Sequence, residues 1–326
     1  GGSSRFRPWK DFDERGGLRC SHCNDSGNAD GFSAVQWWHN CDFPQAIRKV
    51  AEHLRLEPSV GDVSGAAEPP PPQQVDWSAK WNRWTIGAGQ QDDLLSQWCA
   101  VKRPIVPASV RAAEVMFGSW PKNSRDQQCL GFYAFRDPQK PPVGLLLYRA
   151  DGAQFGPIGK LRERKTHLVG GSVSGWIHVG GRSRTRCAEV VWRVEGLPDG
   201  LALLPLLPQN HAVVTPSNGC GWSQSGANNP PLDLFAGKVV IGVGDADAPG
   251  QRGLWRWAEC VAGVADRLFL ASLPFRLEET HGKDLRDWIL AGADLQAIQS
   301  TLSDYGRLVA DVGSLLDVSE QQLIPL

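Results

Sequence analysis

Apolar and polar positions recur along this chain at two different periods. Phe43, Ala46, Ile47, Val50, Ala51 and Leu54 fall at three- and four-residue intervals, which predicts an amphipathic helix over residues 42–54. Asp42 is placed to cap it, and Pro44 sits in the first turn, where a missing N–H is tolerated. Residues 91–101 read as a second helix. Short apolar runs broken by Pro and Gly then predict strands at 131–135, 143–148, 166–169 and 175–179.

From residue 187 the texture changes. Strands are predicted at 187–194, 211–215, 238–243 and 267–273, with helices at 198–207, 251–265 and 283–291. Strands alternating with helices imply a parallel sheet in an α/β layer. One more helix and a tail are expected within 294–326. Residues 57–76 hold four consecutive prolines at 69–72 and no Lys or Arg, the composition of an extended spacer. The chain thus divides into a small module at 1–56, a linker at 57–76, a mixed α+β segment at 77–186, an α/β domain at 187–302 and a tail at 303–326.

Composition narrows the class. With 326 residues and 41% hydrophobic positions, the chain is long enough for about two globular domains. The apolar stretch 201–207 is interrupted by Pro205 and is far shorter than a membrane span. Residues 1–10 lack the apolar core of a signal peptide. Eight Cys are too few for a disulfide scaffold, so a soluble cytoplasmic protein is expected, and a closely spaced Cys pair suggests metal.

The total of 34 basic against 35 acidic residues argues against nucleic-acid binding only if charge is spread evenly. It is not. Residues 77–186 carry 17 basic and 7 acidic side chains, whereas 187–326 carry 9 and 17. A basic block suits polyphosphate, and an acidic cluster beside it suits divalent cations.

In the acidic domain the carboxylates fall where α/β sheets place function, just past predicted strands. Glu195 and Asp199 follow the first strand, Asp245 and Asp247 follow the apolar strand at 238–243, and Lys283, Asp284 and Asp287 open a helix. Taken alone, an Asp-x-Asp pair is more often a loop or helix cap. Three acidic clusters in this order are more specific, and Mg²⁺ or Mn²⁺ needs such oxygen ligands.

These residues carry a resemblance. Glu195-Gly196-Leu197-Pro198-Asp199, Gly244-Asp245-Ala246-Asp247-Ala248-Pro249-Gly250 and Gly282-Lys283-Asp284-Leu285-Arg286-Asp287 resemble the three motifs of a TOPRIM domain, in particular that of bacterial- and phage-type DNA primases. The resemblance implies a Rossmann-like sheet preceded by a mixed α+β primase N-terminal subdomain. It implies Glu195, Asp245 and Asp247 as catalytic residues, and Glu195, Asp199, Asp245, Asp247, Asp284 and Asp287 around Mg²⁺ or Mn²⁺. The implied activity is synthesis of short RNA primers on single-stranded DNA from nucleoside triphosphates, in DNA replication, with a replicative helicase as a further partner. Arg149, Arg162, Arg164, Lys165 and Lys283 are expected to contact template or triphosphate.

Cys20 and Cys23 have the Cys-x₂-Cys spacing of half a tetrahedral zinc site. His22, His39 and Cys41 are the nearby candidates for the remaining ligands, at spacings unlike a common finger. The surrounding residues are similar to the second half of the zinc ribbon of phage and plasmid primases, which implies that the first ligand pair precedes Gly1. Arg5, Arg7, Trp9, Trp37 and Trp38 would then face single-stranded template through phosphate contacts and stacking. Two other readings use the same residues: a TOPRIM nuclease, and a single-stranded nucleic-acid-binding module without catalysis. Topoisomerase fits less well, with three Tyr and a short chain. No Gly-x₄-Gly-Lys-Ser/Thr loop is present, so no helicase motor is expected within these residues.

Overall fold

The structure, a computed structural model, describes residues 6–8, 18–20, 31, 35–36, 39, 41, 43–53, 81–83, 85–120, 128–156, 163–170, 174–219 and 229–308. The chain forms two compact units, Gly1–Gln73 and Gln74–Leu326. Among the described residues, no helix is long and apolar enough to cross a membrane.

In the first unit, β1 (Phe6–Pro8) pairs antiparallel with β2 (Leu18–Cys20), with Phe6 opposite Cys20. Helix α1 (Phe43–His53) matches the predicted amphipathic segment, and Ala46 on its apolar face is buried.

The second unit contains two sheets. The five-stranded sheet is antiparallel, in the order β3 (Asn82–Arg83), β4 (Met116–Ser119), β5 (Gln128–Ala134), β6 (Gly144–Arg149), β7 (His167–Gly170). Both its faces are covered, so β5 and β6 read as nearly continuous apolar runs. Side chains alternate between faces. Leu130, Phe132, Leu146 and Tyr148 join a core with Trp98 and Leu95 of α2 (Ala88–Val101), which stands beside α3 (Pro107–Ala112). Cys129, Leu145 and Leu147 join Trp81 and Phe155 on the other face. Gly131 admits Trp81 there, since a Cβ would stand 3.2 Å from its ring.

The six-stranded sheet begins with β8 (Trp176–Val179), which the sequence groups with the basic segment; β8 pairs antiparallel with β10. The chain then runs through α4 (Arg182–Cys187), β9 (Val190–Arg193), α5 (Leu197–Leu203) and β10 (His211–Pro216). It continues through β11 (Val239–Val243), α6 (Ala248–Val261), β12 (Arg267–Ala271), α7 (Leu285–Leu290), α8 (Leu295–Gln299) and β13 (Leu302–Asp304). The order across the sheet is β13-β12-β11-β9-β10-β8, with β10, β9, β11 and β12 parallel. This is the expected Rossmann-like α/β layer behind a mixed α+β segment.

Val191, Val240 and Leu270 pack against Leu254 and Trp257 of α6. Trp192, Val213 and Ile241 face the opposite way, toward Leu197 and Leu201 of α5 and the same core that α2 fills. The two sheets therefore share one hydrophobic layer. Residues 187–189 are not strand: Cys187 ends α4, and the strand starts at Val190.

Candidate functional site

The chain leaves β9, crosses to β10 on one side, and returns to β11 on the other. The crevice beyond the carboxyl ends of β9 and β11 is therefore a topological switch point, where open α/β sheets bind ligands. Glu195 follows β9 and Asp245 follows β11, and the register brings these ends together, with Arg193 opposite Gly242. The Asp245 amide donates to Glu195 Oε2 at 3.3 Å. The Thr215 hydroxyl donates to the Glu195 carbonyl oxygen at 2.9 Å and fixes the backbone there. Gly250 lets α6 begin directly against both acids: a Cβ on it would lie 2.8 Å from Glu195 Oε2 and 3.0 Å from the Asp245 backbone.

Asp199 lies in the first turn of α5 and is 5% exposed. It folds back over Gly196, where a Cβ would be 2.7 Å from its Oδ2. Its Oδ1 accepts the Arg286 amide at 3.3 Å, which joins α5 to α7.

The electrostatics are strained. Burial, then the charge of Asp284, push Asp199 up to about 8, with Glu195 adding to the rise and Arg286 opposing it. Burial, followed by Asp199, Glu195, Asp284 and Asp247, pushes Asp245 up to about 9. Acids this close titrate as a set, because they cannot all ionise together. With no cation present, burial and the neighbouring negative charges favour the protonated forms of Asp199 and Asp245.

The other acids hold backbone. Asp247 caps α6, with Oδ1 accepting the Gly250 amide at 2.8 Å and Oδ2 the Gly282 amide at 3.1 Å. Asp284 and Asp287 form a capping box at the start of α7: Asp284 Oδ1 accepts the Asp287 amide at 2.8 Å, and Asp287 Oδ2 accepts the Asp284 amide at 3.2 Å. Asp284 Oδ2 also accepts from Arg286 Nη2 at 3.2 Å. Asp247 and Asp284 still act on Asp245 through their charge, whereas Asp287 is not among the groups that shift it. The donors are all oxygen, as a hard cation requires, and the mutual repulsion is what such a cation relieves. Among the described residues, no three His, Cys, Asp or Glu are already arranged as a ligand set.

Basic groups gather at the same place. Burial lowers the pKa of Lys102, and the positive charges of Arg286 and Lys165 lower it further, so Lys102 feels both cations, and of the three Arg286 acts on Asp199. Lys165 was expected from its basic run. Lys102 sits alone just past α2 and carried no sequence signal. Arg286 was visible only as a member of the third acidic motif. Arg149 Nε donates to Asp151 Oδ1 at 3.0 Å, and Arg164 exchanges backbone hydrogen bonds with Phe155. Lys283 Nζ lies 4.9 Å from the Phe275 ring centroid. Cys20 closes β2, while Cys23 and Arg162 lie outside the described residues, as do Arg5, Trp9, His22, Trp37 and Trp38.

No protein-family model matches this chain, and no curated protein matches it. Among solved structures it is similar to the zinc-binding and RNA polymerase domains of the Aquifex aeolicus primase, at 12% identity over 92% of this chain and 77% of that one, with a TM-score of 0.45. It is similar to the E. coli primase catalytic core at 12% identity, over 68% of this chain and 77% of that one, with a TM-score of 0.43. It is also similar to the primase fragment of the bacteriophage T7 primase-helicase protein, at 17% identity over 62% of this chain and 72% of that one, with a TM-score of 0.39.

Proposed function

We propose that this chain is a TOPRIM-type primase, a nucleotidyltransferase that joins nucleoside triphosphates into short RNA primers on single-stranded DNA. The observation that carries the reading is the meeting of Glu195 and Asp245, 50 residues apart, at the switch point of the sheet. Asp199, joined to the Arg286 amide, and the cations Lys102 and Lys165, which act together with Arg286, support the same reading.

Glu195, Asp199 and Asp245 would hold Mg²⁺ or Mn²⁺, and such a cation supplies charge neutralisation for phosphoryl transfer and activates the attacking hydroxyl. Glu195, which accepts the Asp245 amide, would take the proton of that hydroxyl. Lys102, Lys165 and Arg286 balance the triphosphate and the departing pyrophosphate, since this chemistry asks mainly for positioning and charge. Asp247, Asp284 and Asp287 keep the two loops in register. Single-stranded DNA and nucleoside triphosphates are the partners, with a replicative helicase beyond them; zinc on Cys20 and Cys23 belongs to the same reading.

The test is a template-directed assay on single-stranded DNA with labelled triphosphates and Mg²⁺ or Mn²⁺. Labelled primers are expected, with Glu195→Gln and Asp245→Asn lowering their formation by about 10²-fold or more. Undiminished synthesis in both variants would refute the assignment. Release of nucleotides from the strand without added triphosphates would move it to a nuclease.

A further inference from the structure

A second site lies away from the carboxylates. Beside β8, at the edge of the six-stranded sheet, is an open cleft of about 610 Å³. One wall is apolar and aromatic, built from Met116, Tyr133, Phe135 and the Pro141-Pro142 pair. The rim is cationic, with Arg83, Lys140 and Arg182 against the single carboxylate of Glu114. A smaller hollow of about 270 Å³ shares Glu114, Gln139 and Arg182 with it and adds Arg186.

Arg182 is the hinge of this arrangement. Its guanidinium lies 4.6 Å over the Phe135 ring, Nη1 donates to the Pro138 carbonyl at 3.1 Å, and Nε stands 3.4 Å from Glu114 Oε2. Glu114, with a φ of 54°, is the left-handed residue that ends α3 just past its Ala113 cap, and this turn sets its carboxylate on the rim. Tyr133 is half-buried and meets Phe135 edge-on, with centroids 6.2 Å apart.

Arg182, on the rim of the cleft, and the carboxylates occupy different ends of the sheet. Strand β8 runs antiparallel to β10, so α4 starts near the amino ends of the parallel strands. Arg184 on α4 confirms this by donating to the carbonyl of His211, the first residue of β10, at 2.6 Å. Glu195 and Asp245 lie past the carboxyl ends instead.

We propose that this cleft binds one nucleotide unit, with the base against Tyr133 and the Arg182 guanidinium, and the phosphate on Arg83, Lys140 and Arg182 in exchange for Glu114. An aliphatic anion would leave the aromatic wall unused, and a neutral aromatic would leave the cations unused. A base joined to a phosphate uses both. The size suits one such unit, since small-ligand clefts span roughly 300–1,000 Å³. The unit is either a free nucleotide or one residue of a single strand, and binding here does not require the carboxylates to be catalytic.

The experiment uses the full chain in EDTA, so that cation-dependent binding at the carboxylates is absent. Fluorescence titrations with mant-ATP and with fluorescein-labelled oligo(dT) are run on the wild type, on Tyr133→Leu and on the double variant Arg83→Glu, Lys140→Glu. Arg83 and Lys140 are exposed, so the double variant leaves the core intact. Affinity is expected to fall about tenfold in each, while Gly263→Ala, whose Cβ meets nothing within 4 Å, binds as the wild type does. Loss with mant-ATP alone assigns a free nucleotide, loss with oligo(dT) alone assigns a unit of single strand, and either supports the site. Unchanged affinity for both probes in both cleft variants, with unfolding midpoints like the wild type, overturns it.

Discussion

Gly282 is where the carboxylate site is most exposed to a single methyl group. A Cβ there would stand 2.1 Å from the Ala246 carbonyl oxygen and 2.3 Å from its carbonyl carbon, against ordinary contact beginning near 3.4 Å. The atoms struck are backbone, so rotamer changes give no relief, and the two loops must part by about 1 Å. Four hydrogen bonds span that seam. The Gly282 amide donates to Asp247 Oδ2 at 3.1 Å, Ala246 to the Lys283 carbonyl at 2.9 Å, Glu278 to the Ala246 carbonyl at 3.0 Å, and Ala248 to the Glu278 carbonyl at 2.9 Å. At about 1 kcal/mol each, and with some retained, Gly282→Ala should destabilise the protein by about 3 kcal/mol. Equilibrium urea unfolding reads this directly. Gly263→Ala is the matched control: nothing lies within 4 Å of its Cβ, and it should stay within about 0.5 kcal/mol of the wild type. A Gly282→Ala midpoint equal to that control would refute the reasoning, because the seam would then be looser than its geometry. The variant should also lose primer synthesis, since Asp247 and Asp284 lie on opposite sides of the seam.

Asp199→Asn should stabilise the metal-free protein. The folded pKa of Asp199 is raised to about 8, so stability is lost as pH rises from about 4 towards 8. The amide does not titrate, and its advantage in EDTA should approach ~4 kcal/mol at pH 7; a variant less stable than the wild type there would contradict this. On the acid side, burial and then the Arg182 charge lower His178 to about 4, and the residue is 4% exposed. Its folded pKa lies below the unfolded value, so the stability it permits is complete above about 6.5 and falls by about 3 kcal/mol as pH drops to 4. Urea midpoints at pH 7 and 5 should differ more in the wild type than in His178→Leu, and equal slopes would sink the assignment. Trp257 is fully buried on the inner face of α6, edge-on to Phe235 at 5.5 Å, and Trp257→Ala should cost about 4 kcal/mol by urea unfolding. A loss below 1 kcal/mol would mean that the layer between α6 and the sheet is not packed as described.

Much of this architecture was legible in the order of residues. Helix α1, strand β11 and helix α7 lie within two residues of their expected bounds, because each carries a complete local signal: an apolar period, a cap or a β-branched run. Helix α3 and strands β4 and β13 went unseen, being three to six residues long and too short to show a period. The spacing predicts strand from 187, where the structure ends a helix at Cys187 instead, since Arg182–Cys187 is polar and alternates with neither period. The acidic motifs were found by type and spacing, yet their surroundings divide: Asp199 and Asp245 are buried among like charges, while Asp247, Asp284 and Asp287 cap helices.

The sequence by itself determined which segments are helix or strand and that acids follow the strands, because those depend on neighbours a few residues away. Only the tertiary structure decided that β9 lies beside β11, so that Glu195 reaches the Asp245 amide, and that Lys102 and Lys165 approach Arg286. Strand order and register are set by packing both faces of a sheet at once, and that requirement couples residues far apart in the chain. The raised pKa values follow from the same cause: burial and crowding are properties of the assembled core, absent from any local stretch of residues.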